Sequence, residues 1–187
     1  MAEVKILIEG YTSADQPKGE EEKTCPTITL VRTNELTIIV DPGVLASQKI
    51  LQTCLAAEGL SVVDVNMVFI THSHLDHYRN IGMFAEAPTL EFWGLWQGNK
   101  VFERPQKLGT DIEIINTPGH SADSLTMLVK TAQGKVAICG DVFWKENQPE
   151  KDSYASDPEA LEKSRQQILA QADWIIPGHG KMYRVNK

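Results

Sequence analysis

All five histidines of this chain fall into one metal-ligand pattern, and nothing else in the sequence limits its fold so tightly. His72, His74 and His77 stand in the run Thr71-His72-Ser73-His74-Leu75-Asp76-His77. His120 follows Thr117-Pro118-Gly119, and His179 follows Pro177-Gly178. With Asp76 and Asp141, seven side chains offer N or O donors, a set suited to zinc and acceptable to iron, manganese or cobalt. Seven donors are enough for two ions with water between them. His77 breaks the period of two, so His72 to His77 cannot be one strand face. A loop entering a helix directs His72 and His74 one way and Asp76 and His77 another.

The surrounding pattern alternates strands with a few helices. Val4 to Ile8 reads as a first strand. Thr27 to Thr33 and Leu36 to Val40 form a hairpin around Asn34-Glu35. Between them, Thr12 to Thr24 is polar, carries Gly19 and the run Glu20-Glu21-Glu22-Lys23, and reads as a mobile loop. Ser47 to Glu58 is predicted helical, with Ile50, Leu51, Cys54 and Leu55 on one face and Gly59 as its stop. Asn66 to Thr71 is a buried strand, His77 to Phe84 a short helix, and Thr89 to Trp93 another strand. Asp111 to Asn116 alternates apolar and polar residues, and Leu125 to Val129 pairs with Lys135 to Cys139 around Gly134. Asp157 to Ala172 is a helix capped by Asp157, with Pro158 in its first turn and Leu161, Ile168, Leu169 and Ala172 as its buried stripe. Trp174 to Ile176 is a last strand. The proposed ligands all lie just past strand ends, where α/β architectures usually place a site. The 187 residues fit one domain, 1–187.

His-x-His-x-Asp-His, followed by separated His, Asp and His, resembles the metallo-β-lactamase superfamily. Asp41-Pro42-Gly43, Thr117-Pro118-Gly119 and Gly140 before Asp141 are similar to its supporting motifs. The resemblance implies an α/β fold, a four-layer αββα sandwich with the site at one edge, which agrees with the element order. It implies a first metal site at His72, His74 and His120, a second at Asp76, His77 and His179, and Asp141 as the bridging carboxylate. The stretches Ser156-Asp157-Pro158 and Ala172 to Gly180 resemble a narrower group of small hydrolases, for which cleavage of RNA phosphodiesters is a role.

The implied chemistry is metal-dependent hydrolysis. Two divalent ions, zinc first and iron or manganese as alternatives, bring a bridging water to near-neutral pKa. Asp76 is a ligand and the candidate catalytic proton shuttle. His120 and His179 need acceptors on their outer ring nitrogens, which the sequence does not identify. The bond is a phosphodiester, ester, thioester or lactone, in a small-molecule or RNA substrate. The formal net charge of −7 speaks mildly against long nucleic acids. Asp141 stands where β-lactamases with a cysteine ligand carry Cys, which argues against antibiotic hydrolysis. Competing readings are a mononuclear iron sulfur dioxygenase using His72, His120 and Asp141, and a non-catalytic binding module.

Cys25, Cys54 and Cys139 read as reduced core residues. The start of the chain lacks a signal peptide's apolar length and no run would span a membrane, so a cytoplasmic protein is expected. The oligomeric state is open, a homodimer among the options. Asp41 is either a turn former or a support for the ligands, and Asp123 is expected in a turn. Trp144, Tyr183 and the cluster Phe92-Trp93-Leu95-Trp96 are expected in core or rim, with a pocket wall as the alternative. The Glu20 to Glu22 run has the place of the family's substrate-covering loop.

Overall fold

Ile38-Ile39-Val40 and Met67-Val68-Phe69 are buried without exception. A strand apolar on both faces needs cover on both sides, and this drives the layering. The computed structural model describes residues 1–14, 21–146 and 148–186. In chain order its strands are β1 (Glu3–Ile8), β2 (Tyr11–Thr12), β3 (Thr24–Cys25), β4 (Ile28–Arg32), β5 (Thr37–Val40), β6 (Met67–Phe69), β7 (Thr89–Glu91), β8 (Gly94–Gln97) and β9 (Lys100–Phe102). Then come β10 (Lys107–Leu108), β11 (Ile112–Asn116), β12 (Leu125–Thr131), β13 (Gly134–Ile138), β14 (Trp174–Ile176) and β15 (Tyr183–Arg184). The helices are α1 (Gln48–Ala57), α2 (Leu75–Tyr78) and α3 (Pro158–Gln171).

One sheet runs β1-β4-β5-β6-β7-β8-β9 and the other β10-β11-β12-β13-β14-β15. They pack face to face. Val31, Ile38, Val40, Met67 and Phe69 of the first meet Ile112, Ile114, Met127, Val136 and Ile138 of the second. The alternate residues of the same strands point outward. Ile39, Val68 and Ile70 pack against Leu51 and Leu55 of α1. Leu128, Ala137 and Ile175 pack against Leu161 and Ile168 of α3. The result is an αββα sandwich, as the resemblance implies. Each large side chain so buried contributes about 1.5–3 kcal/mol.

Both main helices start as read. Ser47 caps α1 by accepting from the Lys49 N–H, and Asp157 caps α3 by accepting from the Ala160 N–H. Four details differ from the sequence reading. Ile50 is 43% exposed, because only Leu51 and Leu55 of α1 face the sheet fully. The helix placed at His77 to Phe84 is two pieces, α2 beginning at Leu75 and a 3-10 turn over Ile81–Phe84. The strand placed at Thr89 to Trp93 ends at Glu91 and folds back through β8 and β9. Ser164 and Arg165 join Leu161 and Ile168 on the buried side of α3, whereas Leu169 is only partly buried.

Within the stretch read as a mobile loop, Tyr11–Thr12 and Thr24–Cys25 pair as a two-stranded ribbon. Gly19 and Glu20 lie outside the described residues. Among the described residues no helix is long and apolar enough to cross a membrane.

Candidate metal centre

Four loops bring the seven predicted donors to one edge of the sandwich. The loop after β6 carries His72 and His74 and leads into α2 with Asp76 and His77. His120 follows β11, Asp141 lies in a 3-10 turn after β13, and His179 follows β14. Backbone hydrogen bonds stitch the two sheets here: Leu125 N–H to Thr71 O at 2.8 Å and Thr27 N–H to Gly178 O at 2.6 Å. Close approach also requires glycine. A Cβ on Gly178 would land on Asp141 Oδ1, and one on Gly140, at φ +51°, would land on the Thr71 hydroxyl.

The donors fall into two groups. His72, His74, His120 and Asp141 offer atoms all within 4.8 Å of one another, and so do Asp76, His77 and His179. His74 Nδ1 lies 3.0 Å from His72 Nε2 and 3.0 Å from His120 Nε2. Zinc–nitrogen bonds of about 2.0–2.1 Å would set such an edge at about 3.3–3.4 Å. Asp141 reaches both groups, with Oδ1 at 3.3 Å from His77 Nε2 and Oδ2 at 3.4 Å from His120 Nε2 and 3.2 Å from His179 Nε2.

The outer ring nitrogens decide what the inner ones are. His77 Nδ1 lies 2.8 Å from Asp41 Oδ2, and His120 Nδ1 lies 2.6 Å from Asp152 Oδ2. His179 Nδ1 lies 3.0 Å from the Cys25 carbonyl. Carboxylates and carbonyls only accept, so all three Nδ1 atoms carry the proton. His72 Nδ1 meets the Thr71 hydroxyl at 3.1 Å, and that hydroxyl already donates to Asp41 Oδ2 at 2.7 Å. His72 Nδ1 is therefore a donor too. The four Nε2 atoms are left aimed into one small volume beside two carboxylates. The buried His77 Nε2 and Asp141 Oδ1 have no hydrogen-bond partner among the described residues. Such an arrangement asks for cations, so the residues fit a metal.

The charges and burial around the cluster pull its members in opposite directions. Burial pushes His77 down, but Asp141 and Asp41 more than offset this and hold it well above the usual imidazole range. Burial would raise Asp141, yet His179 and His77 hold it well below the usual carboxylate range. His179 is raised by Asp141 against its burial. His72 and His74 are driven down, chiefly by burial. His77 and His179 are thus biased toward the protonated form, and His72 and His74 toward the neutral one.

Asp41 is more than a turn former. It sits at φ +49°, accepts from the Thr71 N–H at 2.8 Å and holds His77. Asp tolerates this conformation better than most residues. Asp123 ties two ligand loops together, accepting from the Ser73 N–H at 3.0 Å and from the Ser121 hydroxyl. Asp152 and the Cys25 carbonyl are the acceptors the sequence did not reveal. Their only signal was the requirement itself, since neither lies at a fixed spacing from its histidine.

A cavity of about 260 Å³ opens over Asp76, His74, His120 and His179, walled by Trp144 and Tyr154. The Tyr154 hydroxyl donates to Glu22 across its mouth at 2.6 Å. A hollow of about 490 Å³ continues past Asp76 toward Lys23 and Arg79. Of the aromatic candidates, Trp144 is thus a pocket wall. Tyr183 is buried beside Phe143, and Trp93 and Trp96 are exposed. Cys25 and Cys139 are buried and Cys54 half-buried. Burial pushes the Cys25 thiol up to about 11 and that of Cys139 to about 12.

Residues 26–91 match the model of the metallo-beta-lactamase superfamily. Metallo-beta-lactamase domain-containing protein 1 of Xenopus laevis is 34% identical, over 98% of this chain and 82% of that protein. The protein of the same description from Homo sapiens is 36% identical over 79% of this chain, and the match spans 59% of its own length. Among solved structures, a Thermotoga maritima protein assigned to the metallo-beta-lactamases superposes with a TM-score of 0.77 at 22% identity, covering 98% of this chain and 99% of that one. An N-acyl homoserine lactone hydrolase with product at its catalytic metal centre gives 0.73 at 16% identity, over 95% and 92%. At these identities the structural likeness speaks for the fold. The ligand-type spacing, the αββα layers and the frog relative agree: the chain belongs to the metallo-beta-lactamase superfamily.

Proposed function

We propose that the chain is a dinuclear zinc hydrolase, with His72, His74 and His120 holding one ion, Asp76, His77 and His179 the other, and Asp141 between them. Metal-dependent hydrolysis is the class its family and relatives support. The observation that carries the dinuclear reading is the set of four imidazoles held on the outside at Nδ1, with their Nε2 atoms and two carboxylates turned inward. When bound, the two ions would supply Lewis acidity, bringing a water to near-neutral pKa and polarising the oxygen of the bond under attack.

The chain's own residues do the rest. Asp76 Oδ2 accepts from the Thr24 hydroxyl at 2.9 Å, and its side chain stays 20% exposed on the cavity floor. From there it can take a proton from water and return it to the leaving atom. Trp144 and Tyr154 form an aromatic wall of the cavity beside His120. A cavity of about 260 Å³ suits a compact ester, thioester or lactone. Glu22 on its mouth disfavours a phosphodiester.

Metal analysis of protein purified without added metal, with a panel of lactone, thioester, ester and phosphodiester substrates, tests this. Two zinc or manganese ions per chain and turnover of a carbonyl substrate are expected. One iron per chain with oxygen uptake would turn the assignment to a dioxygenase. Bound metal with no turnover of any substrate would turn it to a binding module.

A further inference from the structure

His120 is the imidazole that reaches the first ligand group from the second sheet, and its outer nitrogen is held unlike any other in that group. His72 rests on a hydroxyl at 3.1 Å, whereas His120 Nδ1 meets the Asp152 carboxylate at 2.6 Å. The Asp152 side chain is 0% exposed and that of His120 is 2% exposed. The other Asp152 oxygen accepts from the Tyr154 N–H at 2.8 Å. A buried carboxylate costs several kcal/mol unless it is paired, and here its partner is an imidazole already aimed at the cluster. Trp144 packs edge-on to His120 with ring centroids 6.2 Å apart, closing the remaining side.

We propose that Asp152 is a positioning residue for His120: it fixes the proton on Nδ1, points Nε2 inward, and sets the affinity of the first metal position. This rests on the reading of the cluster as a dinuclear centre. Asp152 touches none of Asp76, His77 or His179 through a hydrogen bond among the described residues, so its influence is confined to one of the two ions. A carboxylate on the outer nitrogen raises the ligand's basicity, and loss of such partners typically costs about 10- to 100-fold in metal affinity.

The test is zinc titration of metal-stripped wild type, Asp152→Asn and Asp152→Ala against a chromophoric chelator, with cobalt(II) absorption spectra and circular dichroism alongside. Asn keeps the shape and an acceptor oxygen but drops the charge, so it remains informative if the Ala variant does not fold. Wild type should take two ions. Asp152→Asn should bind one ion as wild type does and the other about 10- to 100-fold more weakly, with an altered cobalt spectrum. Lowered thermal stability with both affinities unchanged would overturn the proposal, and so would equal weakening of both ions. Wild type taking up no zinc would instead remove the dinuclear reading on which it rests.

Discussion

At the scale of the residue, the centre is a problem of lone pairs. His72, His77, His120 and His179 are each held from behind at Nδ1, so that Nε2 turns toward the cluster. Asp141 bears the most, because it is the carboxylate within 3.4 Å of His77, His120 and His179 at once. Asp141→Ala should therefore release metal and abolish turnover while circular dichroism shows the fold intact; wild-type turnover would refute the shared-carboxylate role. That these seven side chains converge could be expected from the sequence, because four share one tight local motif and the other three stand in loops just past strand ends. Asp152 could not, because it meets His120 only after the chain has passed through β12 and β13.

At the scale of the element, the strands buried on both faces and the capped helices were legible, and the edges were not. The hairpin of β8 and β9 exposes Trp96, Val101 and Phe102, so it offers no alternating pattern to find. Two-residue strands such as β10 and β15 are defined by their neighbours and leave no local signal. Helix α3 matters to the site through Gly119, which at φ +137° lies so close to it that a Cβ would overlap the Leu161 backbone. The Asp157 N–H also donates to Gly119 O at 2.9 Å. Gly119→Ala should thus cost more than an ordinary surface change, about 1–3 kcal/mol from backbone strain and overlap. It should also weaken metal binding by shifting His120. Equilibrium denaturation with metal titration checks both effects; an unchanged midpoint would show that the loop accommodates the methyl group.

At the scale of the whole molecule, the donors are divided between the sheets. His72, His74, Asp76 and His77 hang from the first, and His120, Asp141 and His179 from the second. Any ion bound to both groups ties the sandwich shut along that edge. Binding at one hundred times Kd adds about 2.7 kcal/mol, and a chain of this length shifts by about 2–4 °C per kcal/mol. Stripping the metal with a chelator should lower the melting temperature by about 5–10 °C, and readdition should restore it. A melting curve indifferent to chelator and to added zinc would mean that no ion spans the two sheets. The layered architecture was implied by the family resemblance, and the order of strands and helices in the sequence agreed with it. The cavity was not legible, because its walls come from the β2–β3 ribbon and the segment around Trp144 and Tyr154, which meet only in three dimensions.

The division has a consequence for a chain still being synthesised. When only the first hundred residues have emerged, four donors exist and three are missing, so a nascent chain has no complete nest for an ion. Chemistry arrives late, when His179 is threaded into place beside strands laid down much earlier. A cut between β9 and β10 would leave His72, His74, Asp76 and His77 on one piece and His120, Asp141 and His179 on the other.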